Sequence, residues 1–188
     1  VPPTLCSFAV DVAKESDIIT PELKTAGNVL VRFDITKNEY DLPDFEQVKA
    51  LYAAVHELIV KKAVVSAYVC DANGLIPALS KMAFGNMKGF ALNNDLKEEQ
   101  LFAPAYGCIV AEVEKSRLSE ITVPYTTVGT VTDEAKFTYK EVAINAEEAL
   151  SVWKEPLENV FPTKVQRMKH RLKVSSTRQT VFMYARIK

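Results

Sequence analysis

The segment "SAYVCDANGLIPALSKMAFGNMKGFALNND", residues 66–95, indicates the fold class of this chain. A continuous apolar run enters a glycine turn, apolar residues then recur at helical spacing, and a second glycine precedes another short apolar run. This order predicts a strand, a helix and a strand. A glycine turn between a strand and a helix often directs backbone N–H groups toward an anion. The turn at 70–75 is therefore either a ligand site or only a change of chain direction.

The elements inside this segment are predicted from their composition. Residues 64–70 form an unbroken apolar run, which is typical of a central strand covered on both faces. The helix is expected from Leu75 to about Phe84, with Pro77 in its first turn, where a missing N–H costs little. Gly85 or Asn86 is expected to end it in the left-handed conformation. The inner face of this helix is predicted to consist of Leu75, Leu79, Met82 and Ala83.

A longer amphipathic helix is predicted over residues 41–62. Asp41 or Asp44 is placed to cap it, and Lys61 and Lys62 suit the negative end of the helix dipole. One apolar face is formed by Phe45, Val48, Tyr52, Val55 and Ile59, and Leu51 and Leu58 widen it. His56 lies beside this face and is interpreted as a helix residue near the edge of the core.

Further elements alternate along the chain. Strands are predicted at 5–13, 29–35, 88–94 and 106–113 and within 121–139, where Gly129 interrupts the strand pattern and 133–136 form a turn. One or two helical turns are expected at 96–102. A helix is expected at 145–161, with Asn145 as its cap, Pro156 as its end or kink and Trp153 as its packing anchor. This alternation predicts an α/β or α+β sandwich with helices packed on a mixed sheet.

Charge is distributed unevenly between the body and the end of the chain. Residues 164–188 hold eight Lys/Arg and no acid, so residues 1–163 hold 15 basic and 24 acidic side chains, a net charge of −9. The basic segment either binds nucleic-acid phosphates or acts as a linker across an acidic surface. Its aromatic residues Phe182 and Tyr184 are not interleaved with a patterned basic face, which favours the linker and makes nucleic acid an unfavoured partner.

The composition excludes several classes of protein. No apolar run approaches the roughly 20 residues of a membrane span, and no signal peptide is recognisable, so we expect a cytoplasmic protein without membrane contact. Cys6, Cys70 and Cys108 are far apart, lie in apolar runs and are predicted to be reduced core residues. A zinc site is not expected, since His56 and His170 are the only histidines.

The candidate site is the turn that contains Asp71, Asn73 and Gly74. Its functional interpretation is a carboxylate, an amide and free N–H groups at the end of a strand. The structural interpretation, an Asn-Gly cap that turns a strand into a helix, is favoured because one glycine is a weak signal. Cys70 beside Asp71 is a conceivable nucleophile, but no histidine lies near it in sequence, and strand cysteines are usually inert.

Three blocks carry a family resemblance: "LPDFEQVKALYAAVHELI" (42–59), "VSAYVCDANGLIPALSKMAFGNMKGFAL" (65–92) and "LFAPAYGCIVAEV" (101–113). In this order they resemble the C-terminal-type domain of the aminoimidazole ribonucleotide synthetase superfamily, and most of all the second such domain of a single-chain purine-pathway amidotransferase. The resemblance covers residues 1–163. It implies a three-layer sandwich of helices and a mixed sheet, partly ferredoxin-like. Residues 164–188 would be a basic linker toward a glutaminase domain.

The resemblance also implies an activity for the complete enzyme. That enzyme is an ATP-dependent amidoligase, which converts formylglycinamide ribonucleotide and glutamine to formylglycinamidine ribonucleotide in de novo purine biosynthesis. ATP and magnesium would serve the complete enzyme, and no cofactor is expected in this portion, which would be inactive alone. The implied partners are the other synthetase domains and the glutaminase domain. Self-association through uncovered apolar surface is also expected.

The candidate turn departs from the family's usual His-Asp-x-Ser-Asp-Gly-Gly-Leu loop. Aligned on Gly74 and Leu75, the histidine, the serine, the first glycine and both aspartates are replaced, and Asp71 and Asn73 are partial substitutes. No catalytic residue is therefore predicted, and a structural or auxiliary role is expected. Two alternatives remain: a non-enzymatic binding module with an acidic body and a basic tail, and a small independent enzyme that uses Cys70.

Overall fold

The computed structural model describes residues 5–163, so the predicted linker at 164–188 lies outside the described residues. The strands are β1 (Val29–Phe33), β2 (Val64–Val69), β3 (Gly89–Leu92), β4 (Ile109–Val113), β5 (Thr126–Thr132), β6 (Lys136–Tyr139) and β7 (Val142–Asn145). The α-helices are α1 (Phe45–Val60), α2 (Leu75–Asn86), α3 (Glu98–Phe102) and α4 (Ala146–Glu158), and 3₁₀ turns lie at Glu15–Asp17 and Lys115–Glu120.

All the strands belong to one mixed sheet, in the order β2-β4-β1-β5-β3-β6-β7. Neighbouring strands are antiparallel except β3 and β6, which are parallel. Helices cover both faces of this sheet. Along β1, Val29, Val31 and Phe33 pack in a cluster with α1, whereas Leu30 packs in the opposite cluster with α2, α3 and the start of α4. The predicted three-layer mixed α/β sandwich is therefore confirmed.

The helices follow their local sequence signals. Asp44 caps α1, and its side chain accepts hydrogen bonds from the backbone N–H groups of Glu46 and Gln47. Asn145 caps α4 in the same way. All four residues predicted for the inner face of α2 are buried. Pro156 lies inside α4 and does not end it.

Several sequence predictions about the helices need correction. The buried face of α1 is centred on Leu51, Val55 and Leu58, whereas Phe45 is exposed, because the helix turns its second apolar row toward the sheet. The left-handed residue that ends α2 is Met87, with φ of 51°, and not Gly85 or Asn86. Both predicted residues remain in the helix.

Two strand predictions were wrong. Residues 5–13 form no strand, and Cys6 is exposed and not a core residue. β2 is an edge strand and not a central one, although its apolar run suggested burial on both faces. Its only strand partner in the described part of the chain is β4, and Val69 at its end is exposed.

The region at 121–145 also differs from its prediction. β5 continues through Gly129, but its pairing with β1 shifts register there, since Leu30 pairs with Gly129 and Val31 with Thr127. Residues 133–135 do not make a hairpin, because β5 and β6 lie on opposite sides of β3. β7, which was not predicted, pairs with β6 and forms the second edge of the sheet. Its exposed residues gave no alternation of apolar and polar positions from which to recognise it.

Candidate functional site

The candidate turn is held together by its own side chains. Oδ1 of Asp71 accepts hydrogen bonds from the backbone N of Asn73, over 2.8 Å, and from Nδ2 of Asn73, over 3.1 Å. The backbone carbonyl of Asp71 accepts from the N–H groups of Gly74 and Ala105. This pattern is an Asx turn, in which the aspartate carboxylate satisfies the backbone of the residue two positions later. Asp71 and Asn73 thus bind each other.

Lys81, in the second turn of α2, pairs with the negative charge of Asp71. Its Nζ lies 3.6 Å from Oδ2 of Asp71 and 5.5 Å from the centre of the Tyr68 ring. The hydrogen bond from the backbone of Asn73 is the main cause that lowers the pKa of Asp71, and the charge of Lys81 acts in the same direction. A carboxylate with a lowered pKa is a weak general base at neutral pH. The geometry therefore suits Asp71 to organising the turn.

Gly74 is required by packing at the start of α2. Its φ is +82°, and a Cβ at this position would lie 2.6 Å from the carbonyl oxygen of Ala103 and 2.8 Å from the carbonyl carbon of Phe102. The segment after α3 therefore lies against the side of the turn where a side chain would project. This close contact with protein backbone explains the glycine without a ligand.

Magnesium, which the resemblance implies together with ATP for the complete enzyme, does not fit the residues of this turn. Mg²⁺ in nucleotide sites is held by one or two carboxylates together with the phosphates. The single carboxylate here already accepts two hydrogen bonds and pairs with Lys81. Within residues 5–163, no cluster of three His, Cys, Asp or Glu is arranged to hold a metal ion.

Two clefts flank α2 and β7. The larger, of about 870 Å³, has Asn73 and Lys81 on its rim and Phe84, Ile144 and Trp153 on its walls. Trp153 is the predicted packing anchor of α4; its ring lies 5.7 Å from that of Phe84, yet 58% of the residue is exposed. Trp153 therefore packs against the protein on one side of its ring and leaves the other side exposed.

The second cleft, of about 540 Å³, is more apolar. Phe90, Phe102 and Phe137 contribute aromatic walls, and the ion pair of Lys140 with Glu98, 3.2 Å apart, lies at its rim. The Phe90 and Phe137 rings stack at 4.5 Å, so these side chains already pack against each other.

Cys70 directly follows β2 and Cys108 directly precedes β4, and the N–H of Cys70 donates to the carbonyl of Cys108 over 2.8 Å. Both thiols are buried, as predicted. Burial raises the pKa of Cys70 to about 12 and also raises that of Cys108. Since thiolate is the reactive form, this environment opposes the hypothesis that Cys70 is a nucleophile.

Sequence analysis missed a buried carboxylate on β4. Glu112 is fully buried, and its two oxygens accept from four donors: the backbone N–H groups of Lys24 and Thr25, Nδ2 of Asn28 and Oγ of Ser66. The signal available in the sequence was a single acid inside an otherwise apolar strand, "IVAEV". This carboxylate fastens the segment before β1 to the sheet.

None of the helices in the described part of the chain has both the length and the apolar character that crossing a membrane would need.

This arrangement of helices on both faces of a mixed sheet is shared with solved structures of other proteins. No family model matches the sequence. Solved structures of Thermotoga maritima PurL share the fold. The PurLQS structure aligns with a TM-score of 0.62 and 15% identity over 72% of this chain, and PurL complexed with AMPPCP aligns with a TM-score of 0.61 and 16% identity, also over 72%.

A third solved structure, T. maritima phosphoribosylformylglycinamidine synthase II, aligns with a TM-score of 0.60 and 14% identity over 94% of this chain. The present chain spans only 27 to 32% of the length of these three neighbours. At such identities the likeness shows the fold alone, and at that level it confirms the resemblance drawn from the sequence.

Proposed function

We propose that this chain is a structural or auxiliary domain of the ATP-dependent ligase that makes formylglycinamidine ribonucleotide in de novo purine biosynthesis. The observation that carries the proposal is the fold shared with T. maritima PurL. Structures of that enzyme include complexes with ATP and with FGAR. The complete ligase would use ATP, magnesium and glutamine in the cytoplasm, with its other synthetase domains and a glutaminase domain as partners of this one. Residues 164–188 would link toward the glutaminase.

The geometry of the turn supports a non-catalytic role for this domain. Asp71 is engaged by Asn73 and Lys81, and Gly74 is packed against the residues that follow α3. In the proposed enzyme, the turn at 71–75 lines a domain interface and contributes no catalytic group. Cofactor binding then belongs to the other domains.

Complementation tests the proposed function. The 188-residue chain is mixed with the remaining synthetase portion of the same enzyme, supplied with ammonia, ATP and formylglycinamide ribonucleotide, and release of ADP is measured. Activity is expected only in the mixture, with each part alone as the control. A mixture of two folded parts without activity would contradict the proposal and favour the binding module with an acidic body.

Replacing Asn73 with Leu in the complete ligase tests the non-catalytic role. The variant loses the side-chain donor to Asp71 and keeps the backbone donor, so we expect modestly lower thermal stability, with turnover per folded molecule changed less than threefold. Ala72→Leu, beside it in the same turn, is the matched control for added bulk. A large loss of turnover at unchanged stability would assign the turn to catalysis.

A further inference from the structure

Residues 5–12, here called the arm, have the pattern of a strand but pair with nothing in the described part of the chain. Cys6, Phe8, Val10 and Val12 recur with a period of two, which places them on one face of an extended segment. Phe8, Val10 and Val12 are 89%, 94% and 94% exposed. These values are close to those of an isolated peptide. A segment with this pattern would bury its apolar face if it paired with the edge of a sheet.

A suitable edge exists at β2. Its outer side has no strand partner among residues 5–163, so its backbone N–H and C=O groups are available for pairing. Ala67 packs in the cluster on the α1 side of the sheet but is only half-buried. Val69, two residues later on the same face, is 54% exposed. An added strand with an apolar face toward α1 would cover both.

The arm and this edge are close together in one molecule. Nζ of Lys62, two residues before β2, donates to the backbone carbonyl of Ser16, which follows the arm. The arm therefore leaves the body beside the start of β2. Yet every residue from 5 to 16 is exposed, so the arm does not lie on the edge of its own molecule. An arm that leaves beside an open edge allows two copies to exchange arms around a two-fold axis.

We propose that the arm adds as an eighth strand to the β2 edge of a second copy of this chain, and that the second copy returns the same contact. Main-chain hydrogen bonds would give this pairing its affinity, and Phe8 and Val10 would pack near Ala67 and Val69. Eight extended residues span about 26 Å, enough for the roughly 20 Å of β2. This inference does not depend on the proposed ligase activity.

Sedimentation equilibrium of the full 188-residue chain over a wide concentration range tests the exchange. The unmodified chain is expected to dimerise. Val10→Asp places a charge on the apolar face and should raise the dissociation constant of the dimer at least tenfold. Ala9→Asp adds the same charge to the opposite face of the arm and should raise the dissociation constant less than threefold. Circular dichroism checks that the body is folded. A chain that stays monomeric, or two variants with equal effects, would overturn the proposal.

A second measurement identifies the edge. Cysteine is introduced near one end of β2 or the other, as Val65→Cys or Val69→Cys. One of the two positions then lies near Cys6, whether the arm is parallel or antiparallel to β2. Cys70 and Cys108 are buried, which leaves Cys6 as the reactive native thiol for a short bismaleimide. We expect a link from Cys6 to the introduced cysteine in a product of two chains. A link within a single chain, or no link at either position, would overturn the proposal.

Discussion

Asn28 and Glu112 are joined by a buried hydrogen bond in which Nδ2 of Asn28 donates to Oε1 of Glu112 over 2.7 Å. The two residues are 84 positions apart in sequence, and Glu112 is inaccessible to solvent. The Glu112 carboxylate also accepts hydrogen bonds from Lys24, Thr25 and Ser66. A buried carboxylate is tolerated because its oxygens are fully supplied with donors. This cluster therefore ties the segment before β1 to β4, the strand next to the β2 edge of the sheet.

Glu112→Gln should destabilise the fold. The amide nitrogen of glutamine would face one backbone N–H, which loses its acceptor, and either the Ser66 hydroxyl or the Asn28 amide, which can turn to accept. We expect a loss of about 2 kcal/mol in the free energy of unfolding, since a buried unsatisfied donor costs roughly 1–3 kcal/mol. Urea denaturation measures this, and Glu99→Gln at an exposed position is the control. Equal midpoints for the two variants would contradict the role given to Glu112.

Glu22 should make stability depend on pH. Hydrogen bonds from Lys24 and Thr20 lower the pKa of Glu22 from 4.5 to about 2. Because the folded-state pKa lies below the unfolded-state value, ionised Glu22 stabilises the native state fully above about pH 4.5. This contribution is lost as the pH falls toward 2.

The urea midpoint at pH 5 and pH 2.5 measures this effect. Glu22→Gln should reduce the difference between the two midpoints, whereas Glu39→Gln, at an exposed position, should leave the difference nearly unchanged. An NMR titration of the Glu22 carboxyl gives the pKa directly. A value near 4.5 would show that the contacts with Lys24 and Thr20 do not form in solution.

Gly74→Ala should lower the free energy of unfolding more than Gly27→Ala, although both glycines have positive φ. At Gly27, with φ of +90°, a Cβ meets no atom within 4 Å, so alanine adds only backbone strain, about 1–2 kcal/mol. At Gly74 the same strain is joined by a contact of 2.6 Å with the carbonyl oxygen of Ala103. We expect a loss of about 3 kcal/mol or more there. Similar thermal unfolding of the two variants would argue against the close contact at Gly74.

The three thiols should react at very different rates. Cys6 is exposed, whereas Cys70 and Cys108 are buried and their pKa values are raised. Iodoacetamide at pH 8 should alkylate Cys6 first and reach the other two only after unfolding, as mass spectrometry of the digested protein will show. Rapid alkylation of Cys70 in the folded chain would revive the hypothesis of a nucleophilic cysteine.

Much of the helical structure was determined by local sequence. Of the two caps predicted for α1, Asp44 is the one that forms. Asn145 caps α4 as predicted, and the inner face of α2 is buried as predicted. These features depend on residues three or four positions apart, so a short window of sequence contains the whole interaction. The blocks at 42–113 likewise sufficed for a family resemblance, and the fold confirms it.

Only the tertiary structure decided which strands are edges and which polar groups are buried together. The apolar run of β2 suggested a central strand, yet the order of the sheet places it at an edge. β6 pairs in parallel with β3 through residues that are 47 positions apart, and Glu112 accepts from donors in two distant segments, the one before β1 and β2. The alternation of side chains specifies the two faces of a strand but not its neighbours. Neighbours are chosen by long-range packing, which leaves no periodic signal in the sequence.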